Sequence, residues 1–280
     1  MAETESWMRA DTKPSVELHT DRPHGARVYD VLLGGKTNYP ADREAAEKLV
    51  EALPSAPMLA HQNRAFMHRA TRYLAQEAGV RQFLDIGTGI PTSPNLHEVA
   101  QQVAPDTRVI YTDNDPIVLV HSRALHQGHP DGRTAYLEGD LTRPEDFLSD
   151  PELLRTFDLN QPVAVTLVAI LHWLSSEQQP HELVTRIFDR LPSGSYLALT
   201  HVTDDFQQES MQAAVNGLNR TGANTEARSH AEVLRFFDGM ELVDPGLEVV
   251  QRWRPDPVEI GADALGPADI PAYAGVGRKK

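Results

Sequence analysis

RQFLDIGTGIPT, residues 81–92, is the stretch whose reading decides the fold. Phe83-Leu84-Asp85-Ile86 is predicted to be a short buried strand, and Gly87-Thr88-Gly89 turns straight out of it. Thr92-Ser93-Pro94-Asn95 then opens a helix, with Ser93 or Asn95 as its N-cap. A strand, a glycine turn and a helix start together suit a nucleotide-like ligand. Glycine lets the backbone approach the ligand, which lies outside the carboxyl end of the strand.

Outward from that stretch the chain alternates. Residues 108–112, RVIYT, read as a β-branched and aromatic strand, followed by a helix from Pro116 to Gln127 with proline in its first turn. Residues 135–137 form a shorter strand. Residues 162–171, PVAVTLVAIL, are almost continuously apolar, as a parallel strand covered on both faces requires. A helix over 182–191 and a strand over 194–201, GSYLALTH, come next. A helix ending at Val233–Phe237 precedes two strands, 240–243 and 247–253, expected to pair around Asp244-Pro245-Gly246 as an antiparallel edge. Strands alternating with helices predict a doubly wound α/β sheet with helices on both faces.

Upstream, residues 41–78 are helical in pattern, broken by the prolines of Leu53-Pro54-Ser55-Ala56-Pro57. Asn63, Phe66, Met67, Ala70, Tyr73 and Leu74 give one amphipathic face. The expected division is a flexible arm over 1–22, a helical cap or lid over 23–79, a core over 80–255 and a Pro/Gly/Ala-rich tail over 256–280.

The bulk numbers narrow the function. A 280-residue chain of net charge −14 argues against a nucleic-acid or anionic-membrane surface, because phosphate binding wants clustered Lys and Arg. The chain has no cysteine, which excludes disulfides, thiol nucleophiles and Cys-ligated metals. No segment has the length of an apolar membrane span, and the first residues lack an apolar signal core. The expectation is a cytoplasmic protein acting on a small molecule, with no nucleic acid, membrane or metal involved.

Four places fall at predicted strand ends, where open α/β sheets bind ligands. They are the Gly87-Thr88-Gly89 turn, Asp113 with Asn114, Asp140 with Leu141, and His172-Trp173. A carboxylate at the end of the second strand can accept both hydroxyls of a ribose. Asp113 fits that role, although Asp113 and Asp115 could equally make a turn and cap the helix at Pro116. Asp140 could accept from an adenine amine, with the Leu141 backbone facing the ring, or could cap its loop. His172 and Trp173 read either as a pocket wall or as a partly buried pair. Thr92 stands where a dinucleotide fingerprint wants its third glycine, which disfavours NAD and FAD. Gly34-Gly35-Lys36 lacks the spacing and the preceding strand of a phosphate loop. An adenosine cofactor without pyrophosphate, such as S-adenosylmethionine, suits the turn better.

FLDIGTGIPT, YTDNDP, GDL and VAILHWL, in that order, resemble the motif series of Rossmann-like S-adenosylmethionine methyltransferases. More narrowly, ARVYDVLLGGKTN (26–38), NRAFMHRATRYLA (63–75), RQFLDIGTGIPT, VIYTDNDPIVL (109–119) and FFDGMELVDPG (236–246) resemble the bacterial S-adenosyl methyltransferase family over roughly residues 24–255. One departure is Thr37, where the family pattern after GGK suggests Asp. The resemblance implies a seven-stranded, mostly parallel sheet with an antiparallel edge strand. It also implies S-adenosylmethionine held by Asp85, Gly87, Gly89, Asp113 and Asp140, with Thr88, Asn114 and Leu141 beside them. Tyr29 to Asn38, including Gly34 and Lys36, would fold over the cofactor as a lid. The bland reading of Gly34-Gly35 is a helix C-terminus followed by a turn.

Methyl transfer mainly needs the reactants held in line. His172 and His201, at predicted strand ends, are the candidate general bases, with Tyr29 a distant third. The rival functions are a cofactor-binding protein without turnover and an NAD-dependent oxidoreductase.

Overall fold

In the computed structural model the described residues are 19–125, 128–256, 265–266 and 268–280. Three helices come first: α1 (Gly25–Leu32), α2 (Pro40–Ala52) and α3 (Ala56–Gln76). The core then runs β1 (Gln82–Ile86), α4 (Leu96–Val103), β2 (Arg108–Asp113), α5 (Pro116–Leu125), β3 (Arg133–Glu138), α6 (Pro144–Leu148) and α7 (Pro151–Thr156). It continues with β4 (Ala164–Leu167), α8 (Pro180–Asp189), β5 (Tyr196–Val202), α9 (Gln208–Asn219), α10 (His230–Leu234), β6 (Met240–Leu242), β7 (Glu248–Val249) and β8 (Ala272–Lys279). The last two residues of the helix expected from Pro116 to Gln127 lie outside the described residues.

One sheet carries everything, in the order β3-β2-β1-β4-β5-β8-β6, with the two-residue β7 also on β8. β1 to β5 are parallel, and β8 runs antiparallel to β5, β6 and β7. The Rossmann-like expectation of a mostly parallel sheet with an antiparallel edge therefore holds. The pleat divides the core between two faces. Phe83, Val109 and Ala198 pack on one side against Phe66 and Leu74 of α3. Leu84, Ile110 and Leu197 pack on the other against Phe147, Leu183 and Phe188. The capping of α4 follows the local sequence, with Asn95 and Glu98 forming a capping box.

Two expectations at the C-terminal end are corrected. The segments around Asp244-Pro245-Gly246 do not pair with each other; both pair with β8. The Pro/Gly/Ala-rich tail is where β8 lies, inserted between β5 and β6 and buried along most of its length. Its small residues concealed it. A Cβ at Gly277 would stand 2.6 Å from Phe237 and one at Gly275 3.1 Å from it, so bulky neighbours supply the apolar surface instead. The strand expected over 162–171 is also shorter, ending at Leu167. Ala169 takes a left-handed φ of +57°, and residues Leu171–Trp173 form a 3-10 turn. That break turns the end of the apolar run into a wall over the carboxyl edge of the sheet.

Candidate functional site

β1 is flanked by β2 and β4, so the strand order reverses there and leaves a crevice at its carboxyl end. The glycine turn and the β2 acid are tied together in it. Gly87 N donates to Thr112 O at 2.8 Å, and Gly89 N donates to Asp113 Oδ2 at 2.9 Å. Asp115 N donates to Asp113 Oδ1 at 2.9 Å. Each Asp113 oxygen thus takes one backbone N–H and keeps a second lone pair, the donor-accepting capacity a cis-diol needs. Gly87 and Gly89 hold φ values of +73° and +69°, where glycine is favoured. They differ in surroundings. A Cβ at Gly87 would strike Ile170, whereas one at Gly89 would meet nothing within 4 Å, leaving room for a ligand against the backbone.

Asp115, the alternative acid, is committed elsewhere. Its Oδ1 caps α5 through Ile117 N at 2.9 Å, and its Oδ2 lies 3.2 Å from His24 Nδ1 and 3.8 Å from Arg27. These contacts fasten the start of α1 to the carboxyl end of the sheet. Asn114 is exposed beside them. Asp140 sits in the loop after β3, where Oδ1 accepts from both the Thr142 amide and hydroxyl at 2.8 Å. Its other oxygen lies 4.0 Å from Arg143. Leu141 puts its side chain into the core below.

Asp85, near the end of β1, accepts a hydrogen bond from the Thr166 hydroxyl. Burial pushes its carboxyl up to about 6, opposed by Thr166 and by the nearby Arg64 guanidinium. Arg64 is a site residue the sequence reading missed. It donates to Thr92 O and, at 2.8 Å, to Pro94 O, on the loop that follows the glycine turn. The available signal was Asn63, a polar residue on the amphipathic face of that helix, with Arg64 beside it.

The lid expectation meets a specific geometry. Residues after α1 close into a turn on Asp30, whose Oδ2 accepts from Thr37 N at 2.9 Å and Asn38 Nδ2 at 2.8 Å. Gly35 is packed so tightly on Asp30 that a Cβ would lie 2.0 Å from its carboxylate. Thr37 contributes its backbone here, so the turn closes with threonine at the departing position. Gly34 ends the helix with a φ of +75°, the helix-terminus reading, and Lys36 is exposed. Tyr29 points the other way: its hydroxyl donates to Ala60 O at 2.9 Å, tying α1 to α3. Burial raises its pKa, which removes it as a base at ordinary pH.

Beside the crevice lies a largely apolar cavity. α1, α3 and α9 supply Val28, Leu32, Leu59, Met211 and Leu218, and the segment after β4 supplies Ala169, His172 and Trp173. Trp173 also packs against Gly25, where a Cβ would stand 3.0 Å from the indole. Ala169 is held in its strained conformation by donating its N–H to Thr200 Oγ1 at 2.8 Å.

The two histidines separate. His201 is 1% exposed; its Nδ1 sits 2.7 Å from Val202 O and its Nε2 2.9 Å from the Arg228 guanidinium. A ring that donates at Nδ1 and accepts at Nε2 has no lone pair left, so His201 cannot act as the expected base. Burial, together with His172 and Arg228, pushes its pKa well down. His172 does line the cavity, with its Nδ1 unpartnered. Burial and then Arg228 push it down to about 3, so the ring is neutral and a weak base. Arg228 itself donates to Leu171 O at 3.3 Å and Leu174 O at 2.9 Å, pinning the turn that carries His172 and Trp173.

Among the described residues no helix is long and apolar enough to cross a membrane. The model of a family described as S-adenosyl methyltransferase matches residues 11–280. The chain is 46% identical to a DUF574 family protein from Streptomyces avermitilis, whose crystal structure superposes with a TM-score of 0.91 over 94% of this chain and 100% of that one. It is 41% identical to a candidate methyltransferase from Thermobifida fusca, with a TM-score of 0.86 over 96% and 99% of the two chains. No curated protein matches it.

Proposed function

The chain belongs to the S-adenosyl methyltransferase family and is an enzyme whose cofactor is S-adenosylmethionine; from that premise we propose that it methylates a small molecule held in the cavity beside the crevice. The observation that carries this reading is the union of Asp113 with the glycine turn through Gly89 N at 2.9 Å. It supplies a fixed diol acceptor next to an open stretch of backbone.

In this reading Asp113 takes the ribose, and Gly87, Thr88 and Gly89 give the close backbone approach. Asp140, the Leu141 backbone and the exposed Asn114 flank the adenine. Asp85 and Arg64 offer a carboxyl and a guanidinium to the two charged groups of the amino-acid end. When bound, the cofactor supplies an electrophilic methyl group on a sulfonium. The protein's part is positioning, which in favourable cases supplies roughly 7–11 kcal/mol. Trp173 and the α1 residues wall the acceptor in and exclude water. His172, neutral and unpartnered, orients the acceptor by a hydrogen bond; a ring titrating near 3 takes up a proton too weakly to serve as the main base. The turn from Gly34 to Asn38, with Lys36 at its surface, is the closing element over the cofactor. It belongs to a front end, residues 23–79, that caps a core running from residue 80 and taking in β8.

Thermal unfolding with S-adenosylhomocysteine or NAD tests the cofactor part. At 100 times its dissociation constant a ligand stabilises by about 2.7 kcal/mol, so the homocysteine compound is expected to raise the melting temperature and NAD to leave it alone. A homocysteine compound with no effect at saturation would sink the proposal.

A further inference from the structure

The cavity is apolar almost throughout, yet three polar atoms of its lining residues are buried without partners: Asn63 Oδ1, His172 Nδ1 and Thr225 Oγ1. Asn63 is 1% exposed and Thr225 5%, so both side chains are buried in the wall. Unpartnered buried polar atoms are rare in native proteins, and each costs free energy until something bonds it. Three around one empty volume point to an occupant.

The chemistry of that occupant can be narrowed. The Tyr29 hydroxyl gives its proton to Ala60 O, and its lone pair is bonded by the Asn63 side chain. Only the amide NH2 of Asn63 can donate there, so its Oδ1 is left as a pure acceptor within the cavity wall. The ligand must therefore present a donor. Among the described residues no Asp, Glu, Lys or Arg lines the cavity. A carboxylate, phosphate or ammonium entering it would lose its hydration with no opposite charge to offset the loss.

Resting on the proposed acceptor role of this cavity, we propose that the methyl acceptor is an uncharged, mainly apolar small molecule whose hydroxyl or N–H donates to Asn63 Oδ1, with His172 and Thr225 completing its polar contacts. Anionic metabolites, nucleic acids and lysine side chains fall outside that class. A site built to bond a donor discriminates by leaving its own groups unpaired when the donor is missing.

The test compares naphthol, naphthalene and naphthoate by calorimetry on the intact protein, with S-adenosylhomocysteine titrated separately. Naphthol is expected to bind about tenfold more tightly than naphthalene, and naphthoate more weakly than either. Asn63→Leu should erase the preference for naphthol over naphthalene. Thr225→Val, which leaves the Tyr29 anchor alone, should cut it about threefold and decides the matter if the first variant does not fold. Naphthoate binding as tightly as naphthol, equal binding of naphthol and naphthalene, or no binding of any of the three overturns the acceptor class. If S-adenosylhomocysteine fails to bind, the cofactor reading falls instead, and the three probes still report on the cavity.

Discussion

The two halves of the site are built in opposite ways. The proposed cofactor crevice is made from short segments at strand ends: the turn after β1, Asp113 at the end of β2 and the loop after β3. Its residues bond each other through the backbone, as Gly89 N and Asp115 N do to Asp113. The proposed acceptor cavity is made from side chains that lie far apart in the chain, from Val28 to Leu218, brought together only by packing. Local chemistry makes the first half; long-range burial makes the second. The general lesson is that a binding half can be legible while the half that sets specificity is not.

The strongest way to break this contrast is to loosen the cavity without touching the crevice. Arg228 is 2% exposed and holds His201, the Leu171 and Leu174 carbonyls and, at 3.2 Å, Glu226. Arg228→Met should cost about 3–5 kcal/mol in urea unfolding, since it orphans partners of a buried cation. A smaller loss would mean the turn carrying His172 stands without it.

Asp85→Asn probes the crevice with the opposite sign. The folded-state pKa of Asp85 is raised from 3.8 to about 6, so the folded protein holds that proton more tightly than the unfolded chain. The stabilisation this gives is complete below pH 3.8 and is lost as pH rises through 6. Above pH 6, Asp85→Asn should therefore stabilise the cofactor-free protein, by up to about 3 kcal/mol from a shift of this size. Below pH 4 the two proteins should melt alike, and at pH 7 the variant should bind S-adenosylhomocysteine more weakly. A variant less stable at pH 8 would show that the charged carboxyl is already compensated.

Asp113→Ala should weaken cofactor binding by roughly 1.5–3 kcal/mol, the worth of hydrogen bonds to a charged group. Calorimetry on the folded variant checks it, and unchanged affinity would remove Asp113 from the site. The smallest expected effect belongs to the surface turn. Lys36→Ala should change stability by less than about 0.5 kcal/mol. A matching indifference in cofactor affinity would confine the closing role to the backbone of that turn; a clear loss would give the lysine itself a part.

The legible elements are those whose residues state their role locally. Phe83 to Ile86 alternate between the two faces of the sheet, and Asn95 with Glu98 caps α4 as the spacing suggests. β8 was illegible because its alternation is written in alanine and glycine, with Phe237 and Trp253 supplying the bulk from elsewhere. His201 looked like His172 because both end apolar strands. Arg228, reaching across from a distant loop, and the Val202 carbonyl occupy both ring nitrogens of His201, whereas His172 Nδ1 has no partner.

By itself the sequence determined the parallel sheet, the glycine turn and the Asp113 partner, because strand periodicity and positive-φ glycine act over a few residues. The tertiary structure alone decided that β8 closes the sheet, that Arg64 stands near Asp85, and that Asn63, His172 and Thr225 meet around one cavity. Those outcomes depend on which surfaces are buried against each other. Burial is a sum over distant contacts that no local pattern records.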